Sequence, residues 1–301
     1  MRKPPPRLSP VLPTGIAPPE RSVDAQRRSG ALLVDQGALR IEEADRVLDV
    51  QRERGGRFGD IAVSLGFATP EQVQRALARQ RGTPQLLPDD RVRLGPAVRA
   101  ALDDPALMRA YTDARTQLEL RWFGDDPERR ALAVIGDAAS EGRTFATCMI
   151  GLLLSMTGRR VLLVDACVSA PALQATLGGT PAPIGLAEAI GQPEAAISLP
   201  SALDSVDLAV LGRQDAPLGD EAIASRAFGT MIGTLSGAWD AILVDTPPWS
   251  VDRRALSVAV RCSGALIVAR LGVTPLHRLE TTRRMLADAG VETVGALARR
   301  A

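Results

Sequence analysis

Residues 134–147 read VIGDAASEGRTFAT, an apolar strand end that leads through small residues into a helical pattern. Small residues at such a turn let backbone N–H groups face a phosphate, and the new helix adds the positive end of its dipole. The hydroxyl of Thr144 is placed to ligate Mg²⁺, and Arg143 would lie against the terminal phosphates. The stretch therefore predicts a phosphate-binding loop with these cofactor-binding residues: Ser140, Glu141, Gly142, Arg143, Thr144 and Phe145.

Two positions of this loop depart from the strict phosphate-loop pattern G-x-x-x-x-G-K-[ST]. Asp137 occupies the first glycine position, and Arg143 occupies the lysine position. Of the 36 lysine and arginine residues only Lys3 is lysine, which indicates a bias toward arginine in the whole chain. Arginine keeps the positive charge, but it is bulkier than lysine and planar. Taken alone, the stretch is equally compatible with an ordinary turn between a strand and a helix.

Apolar runs of four to six residues alternate with helical patterns from residue 131 onward. Alternation of this kind indicates a mostly parallel sheet with helices on both faces, and therefore an α/β fold. The predicted strands are Ala131–Ile135, Val161–Val164, Val206–Leu211, Ala241–Val244, Ala265–Ala269 and Thr293–Leu297.

Two aspartates end predicted strands, Asp165 in VLLVDAC (161–167) and Asp245 in AILVDTPP (241–248). Ligands of parallel sheets bind at the carboxyl ends of the strands, where both carboxylates would stand. Such carboxylates hold Mg²⁺ and its waters or accept a proton. We therefore expect Thr144, Asp165 and Asp245 to hold the metal, and Asp165 and Arg143 to be catalytic. The alternative for each aspartate is a helix N-cap.

An internal repeat precedes the α/β region. Residues 28–51 align with residues 57–80 without gaps, and eight of 24 positions are identical. Each copy is typical of a short helix, a glycine-marked turn and an amphipathic helix, with Thr69 and Gln72 as a predicted capping box. We expect four regions: a disordered proline-rich arm at 1–27, a small all-α repeat domain at 28–81, a linker at 82–104 and the α/β domain at 105–301.

The composition narrows the function further. The formal net charge of +1 over 301 residues gives no electrostatic argument for a nucleic-acid partner. One histidine and three dispersed cysteines leave little room for a histidine-based metal site or for disulfides. We find no apolar run of membrane-spanning length and no secretory signal pattern, so we expect a cytoplasmic protein.

VIGDAASEGRT, VLLVDACVSAP and AILVDTPP resemble the Walker A, A′ and B motifs of the bacterial tyrosine kinases. These kinases are P-loop proteins of the MinD/ParA lineage (SIMIBI type) that act in capsule and exopolysaccharide export. RAYTDARTQLELRWF (109–123) resembles the E-x-x-R-x-x-R helix through which they form rings. The type that the chain resembles most is the EpsG-type chain-length-determinant autokinase. The resemblance implies ATP and Mg²⁺ as cofactors, a homo-oligomer through the helix at 105–121, and a Wzz-like membrane polysaccharide co-polymerase as the partner that holds it at the inner membrane.

The repeat resembles the small MshEN-type domain of type II secretion ATPases, which in some relatives binds cyclic di-GMP. Its arginines would bind phosphates or stack on guanine, and its glycines would let backbone amides approach the ligand. A purely structural docking domain is the alternative interpretation. The ligand-binding residues would be Arg28, Gly30, Gly37 and Gln51 in the first copy, and Arg57, Gly59, Gly66 and Gln80 in the second.

Several positions differ from the kinase pattern. Cys167 stands where the A′ motif has its second aspartate, Arg299 where the lineage usually has an asparagine, and no tyrosine follows Tyr111. Two hypotheses remain: an ATP-binding kinase whose target is another protein or Tyr111, and a degenerate pseudokinase that docks on the co-polymerase. A ParA-like positioning ATPase is disfavoured because its signature lysine would fall at Ala138.

Overall fold

A computed structural model of the chain describes residues 33–34, 39–70, 72–73, 86–124, 126, 128–212 and 220–299. The predicted arm at 1–27 and four of the predicted cyclic di-GMP residues (Arg28, Gly30, Gly37 and Gln80) lie outside them. The chain divides into two compact units, Met1–Ala76 and Leu77–Ala301.

The second unit contains the predicted α/β sheet. Its six described strands all pair in parallel, in the order β3-β2-β4-β1-β5-β6. Each predicted strand is present within a few residues of its expected bounds, so the predicted fold class is confirmed. The strands are β1 Ala131–Ile135, β2 Val161–Asp165, β3 Leu208–Leu211, β4 Ala241–Asp245, β5 Gly264–Arg270 and β6 Glu292–Arg299.

Helices cover both faces of this sheet, as the fully apolar strands require. Because successive side chains of a strand point to opposite faces, Ala133 and Ile135 join one core cluster while Leu132 and Val134 join the other. The helices of the second unit are α3 Pro88–Arg93, α4 Pro96–Leu102, α5 Pro105–Arg121, α6 Arg143–Ser155, α7 Leu173–Leu177, α8 Leu186–Gly191, α9 Arg226–Ser236, α10 Arg254–Cys262 and α11 Leu276–Asp288. Helices α8 to α11 contribute to the first cluster, and α4 to α7 contribute to the second.

Residues 88–102 differ from the predicted linker. They form α3 and α4, and Leu94, Val98 and Ala101 are buried in the second core cluster. Asp90 of α3 is 0% exposed, and it accepts hydrogen bonds from the backbone N–H groups of Asp204 and Ser205 at 2.7 and 2.6 Å. The sequence pattern missed these helices because they are six and seven residues long and each begins with a proline.

The first unit contains two described helices, α1 Ile41–Arg54 and α2 Phe58–Ser64. The predicted capping box follows them: Thr69 N–H donates to Gln72 Oε1 at 2.6 Å, and Gln72 N–H donates to Thr69 Oγ1 at 3.3 Å. Among the described helices of the whole chain, none combines the length and the apolar character needed to cross a membrane.

Candidate nucleotide site

The turn from β1 to α6 has the shape of a phosphate-binding loop. A short 3-10 turn spans Ala139–Glu141, and α6 begins at Arg143. Between them Gly142 has φ 85° and ψ 28°, a left-handed conformation that favours glycine. The first N–H groups of α6 have no carbonyl partner within the helix, so an anion bound at this turn would meet them.

Thr144 and Asp245 lie against each other at the start of α6 and the end of β4. The Thr144 hydroxyl donates a 2.6 Å hydrogen bond to Asp245 Oδ2. Asp245 is 1% exposed, and its Oδ1 has no hydrogen-bond partner among the described residues. Burial raises the pKa of Asp245 to about 7, opposed by the Thr144 hydrogen bond. A buried carboxylate oxygen without a partner indicates that a ligand or water completes this site.

The donor set here fits Mg²⁺. A threonine hydroxyl and a carboxylate are hard oxygen ligands, and Mg²⁺ is usually bound by one or two protein carboxylates together with waters and substrate phosphates. Within the described part of the chain, no cluster of three or more histidine, cysteine or acidic side chains could form a metal cage by itself. Thr144 and Asp245 would therefore hold a metal that arrives with a phosphate ligand.

The Arg143 side chain is buried and hydrogen-bonds two backbone carbonyls, one of them in the loop. Its Nε donates to the carbonyl of Thr246 at 3.1 Å, and its Nη1 donates to the carbonyl of Ala138 at 2.6 Å. The residue is 6% exposed, and burial lowers the pKa of its guanidinium. The guanidinium has five N–H donors, so these two bonds leave others for a ligand, and Arg143 also lines the cavity described below. The predicted catalytic role of Arg143 on the terminal phosphates stays a prediction.

Glu141 keeps its side chain inside the protein. Its Oε2 accepts from the N–H of Ala138 at 3.0 Å, and its Oε1 accepts from the Thr274 hydroxyl at 2.6 Å. The carboxylate therefore fixes the loop to the segment that follows β5. Ser140, Gly142, Thr144 and Phe145 line the cavity described below, and their cofactor-binding role stays a prediction.

Asp165 stands in register with Asp245 on the neighbouring strand, but both of its carboxylate oxygens accept backbone N–H groups. Oδ1 accepts from the N–H of Cys167 at 3.1 Å, and Oδ2 accepts from Ala172 and Leu173 at 2.9 Å each. Burial raises the pKa of Asp165, and these three hydrogen bonds oppose the rise. Asp165 is not the N-cap residue of α7, which is Ala172, although its carboxylate accepts the N–H groups of Ala172 and Leu173. The metal-binding and catalytic roles of Asp165 stay predictions.

A cavity of about 930 Å³ adjoins the loop. Its walls come from α5, the loop, the start of α6 and the end of β6, and they include Tyr111, Phe145 and Arg299. Tyr111 and Phe145 pack edge to face with ring centroids 5.8 Å apart. The predicted cofactor-binding residues did not include Tyr111 or Arg299, although the resemblance places Arg299 where the lineage usually has an asparagine that reads adenine. A second signal was that Arg299 ends the last parallel strand, where ligands bind in such sheets.

Three of the four described members of the predicted cyclic di-GMP set, Gln51, Gly59 and Gly66, have structural roles. Gln51 Nε2 donates to the carbonyl of Gly56 at 2.9 Å. A Cβ at Gly59 would collide with Val73, and Gly66 has φ 71° in the turn after α2. Arg57 is exposed just before α2. These contacts explain Gly59 and Gly66 by packing and backbone conformation.

Comparison with known proteins agrees with the fold. No family model matches the chain. Tyrosine-protein kinase wzc of Salmonella typhi is 31% identical over 192 residues, which are 63% of this chain and 26% of that protein. The succinoglycan biosynthesis transport protein ExoP of Rhizobium meliloti is 28% identical over 186 residues, 59% of this chain and 23% of that protein. The chain thus matches about a quarter of the length of these curated relatives.

Among solved structures, the kinase domain of Escherichia coli tyrosine kinase ETK superimposes with a TM-score of 0.56 at 22% identity. The match covers 64% of this chain and 75% of that domain. The homologues of this chain are bacterial tyrosine-protein kinases, and its α/β unit has the P-loop fold of their kinase domains.

Proposed function

We propose that the α/β unit binds ATP together with Mg²⁺ and acts as a regulatory member of an exopolysaccharide assembly system, with little or no phosphotransfer of its own. The observation that carries this proposal is the pair of Thr144 and Asp245, a hydroxyl 2.6 Å from a buried carboxylate whose second oxygen lacks a partner among the described residues. The loop amides from Ser140 to Phe145 would bind the phosphates. When bound, Mg²⁺ would neutralise phosphate charge beside Asp245.

Three features support binding over catalysis. Phosphoryl transfer depends on charged groups positioned around the reacting phosphate and the attacking hydroxyl. Asp165, which would polarise that hydroxyl, gives both oxygens to backbone N–H groups. Arg143 donates to two backbone carbonyls. Cys167 presents a thiol where the resemblance implies a second carboxylate, and burial raises the pKa of that thiol.

The second candidate function is that of an active protein-tyrosine kinase, and the names of the relatives favour it. Its acceptor would be another protein, because Tyr111 is a poor acceptor. Tyr111 is 2% exposed, and burial raises the pKa of its hydroxyl to about 12.

The names of the relatives support the proposed partner. ExoP is named a succinoglycan biosynthesis transport protein, which supports a place in polysaccharide export for this chain as well. The chain would work at the cytoplasmic side of the inner membrane by docking on a membrane polysaccharide co-polymerase. The helix at 105–121 would form a homo-oligomer, and its exposed Leu120 provides apolar surface for that contact.

Cyclic di-GMP sensing by the first unit is a separate proposal. Arg57 is the described anchor that is both cationic and exposed. Calorimetric titration of the full chain with cyclic di-GMP, repeated on Arg57→Ala, tests it. Saturable binding that the substitution weakens would support sensing, and the absence of heat in the unmodified chain would leave the repeat a structural domain.

The main proposal is tested by calorimetric titration of the full chain with Mg²⁺-ATP. Asp245→Asn keeps the shape of the side chain and its acceptor for Thr144, but it removes the charge that would face the metal. We expect saturable binding to the unmodified chain and to Asp288→Asn, an exposed carboxylate at the end of α11 that serves as the control. We expect at least a tenfold loss in Asp245→Asn. No binding to the unmodified chain would contradict the proposal.

A further inference from the structure

Arg299 brings a second guanidinium to the phosphate-binding loop from the far end of the chain. It is the last residue of β6. A Cβ built on Gly142 would lie only 2.5 Å from Arg299 Nη1 and 2.9 Å from its Cδ. The Arg299 side chain therefore contacts the loop at Gly142, which has a left-handed conformation. Its guanidinium carbon lies 5.8 Å from the centroid of the Phe145 ring. Arg299 therefore covers the loop on the side where the cavity opens.

The cavity has two basic lining residues, Arg143 and Arg299. Arg143 donates hydrogen bonds to the backbone carbonyls of Ala138 and Thr246, and its Nη1 lies 3.9 Å from Glu141 Oε2. Its charge is thereby shared with groups of the loop itself. Arg299 is half-buried at the cavity wall, in contact with the loop glycine. A phosphate seated on the loop amides would meet this second cation directly.

The wall around Arg299 contains a further polar group with an unmet hydrogen bond. The Tyr111 hydroxyl is buried and has no hydrogen-bond partner in the described part of the chain. The positive charge of Arg299 is close enough to oppose the rise in the pKa of Tyr111. A buried hydroxyl that lacks a partner indicates a place for a polar ligand atom or a water.

We infer that Arg299 binds the ligand's phosphates in the nucleotide site. It would supply from the end of β6 the positive charge that the loop pattern assigns to position 143. The guanidinium fork matches two phosphate oxygens, and charge-assisted bonds of this kind are short and strong. The inference rests on the proposed nucleotide binding and adds which side chain supplies the charge. Its ligand class is a polyphosphate, recognised through its phosphates.

The test uses the full chain and two probes, Mg²⁺-ATP and inorganic Mg²⁺-tripolyphosphate, in calorimetric titrations at several salt concentrations. The variants are Arg299→Ala, Arg299→Lys and the control Arg284→Ala, an exposed arginine of α11 that does not line the cavity. We expect Arg299→Ala to weaken binding of both probes by roughly tenfold to a hundredfold. Arg299→Lys should recover part of the loss, and Arg284→Ala should match the unmodified chain.

The salt dependence of the affinity distinguishes a direct contact of Arg299 with phosphate from a purely structural role of this residue. Loss of a charge that touches phosphate should make the affinity less dependent on salt, whereas a repacked wall would leave that dependence unchanged. Equal affinity of Arg299→Ala and the unmodified chain would overturn the inference and leave the proposed function standing. Weaker ATP binding with unchanged tripolyphosphate binding would also overturn it. If the unmodified chain bound neither probe, the proposed function itself would fail.

Discussion

Asp165 and Asp245 are register partners on adjacent parallel strands, yet one carboxylate accepts hydrogen bonds on both oxygens and the other on only one among the described residues. Asp165 accepts three backbone N–H groups, while Asp245 accepts the Thr144 hydroxyl on one oxygen and has no partner on the other among the described residues. The Asp165 carboxylate stabilises the turn between β2 and α7, and the second oxygen of Asp245 is available to a ligand or water. We therefore expect Asp245→Asn to raise the free energy of unfolding and Asp165→Asn to lower it.

Asp245→Asn should stabilise the ligand-free protein at neutral and alkaline pH. Burial raises the pKa of Asp245 from 3.8 to about 7, so the folded chain keeps a proton that the unfolded chain has lost. The contribution of this group to the free energy of unfolding is therefore highest below pH 4 and falls as the pH rises to about 7. Removing the ionisation should raise the free energy of unfolding at pH 8 by about 1–3 kcal/mol.

Urea unfolding of the unmodified chain and Asp245→Asn from pH 5 to pH 8 measures this difference. The gap between the two should widen with pH, and Asp288→Asn should follow the unmodified chain. A constant gap across the range would show that Asp245 does not hold a proton in the folded state.

Asp165→Asn should destabilise the protein at every pH in the same range. The amide N–H₂ would face backbone N–H groups of Cys167 or of Ala172 and Leu173, so at least one donor would lose its acceptor. We expect a loss of about 2 kcal/mol in the free energy of unfolding. A neutral result in urea unfolding would contradict a stabilising role for these three hydrogen bonds.

Gly142→Ala and Gly158→Ala separate backbone strain from contact with Arg299. Both glycines are left-handed, with φ 85° and 88°, but a Cβ at Gly158 would meet open space. We expect each variant to lose about 1 kcal/mol of unfolding free energy from strain alone. Because the Arg299 guanidinium is the flexible end that Gly142→Ala displaces, that variant alone should also bind Mg²⁺-ATP more weakly. Thermal unfolding together with titration measures both quantities, and equal ATP affinities would argue against a role for the Gly142–Arg299 contact.

Asp90→Ala should destabilise the second unit by about 3 kcal/mol, because it leaves the N–H groups of Asp204 and Ser205, the second of them buried, without their acceptor. Its neighbour Asp89 is exposed and provides the control, with an expected change within about 0.5 kcal/mol for Asp89→Ala. Urea unfolding monitored by tryptophan fluorescence is suitable, since all three tryptophans of the chain lie in this unit. Equal stability of the two variants would show that the α3 contact contributes little.

The sheet could be predicted because its information is local. Runs such as AILV before Asp245 are apolar at every position, which is how a strand buried on both faces reads in sequence. The phosphate-binding turn was visible for the same reason, since its small residues and its helix start are contiguous. The pairing of Thr144 with Asp245 follows once both are assigned to the carboxyl edge of one sheet.

Other parts of the site depend on contacts that local patterns do not encode. Arg143 bonds a carbonyl of its own loop and one about a hundred residues away, so its inward orientation is decided by tertiary structure. Arg299 reaches Gly142 only because β6 lies at the sheet edge and ends beside the loop. The fixed hydrogen bonds of Asp165 likewise depend on how the chain turns between β2 and α7. The sequence indicates which residue types are present, and packing decides which of them remain open to a ligand.

The packing of α3 and α4 on the sheet sets a lower limit on the length of fragment that can fold by itself. Gly95 N–H donates to the carbonyl of Leu177 at 2.8 Å, and any side chain at Gly95 would collide with the Thr176 carbonyl. A fragment cut at Pro105 would uncover apolar surface that Leu94, Val98 and Ala101 now protect. Recombinant production of the α/β unit should therefore start upstream of Pro88, and a shorter fragment should accumulate in inclusion bodies.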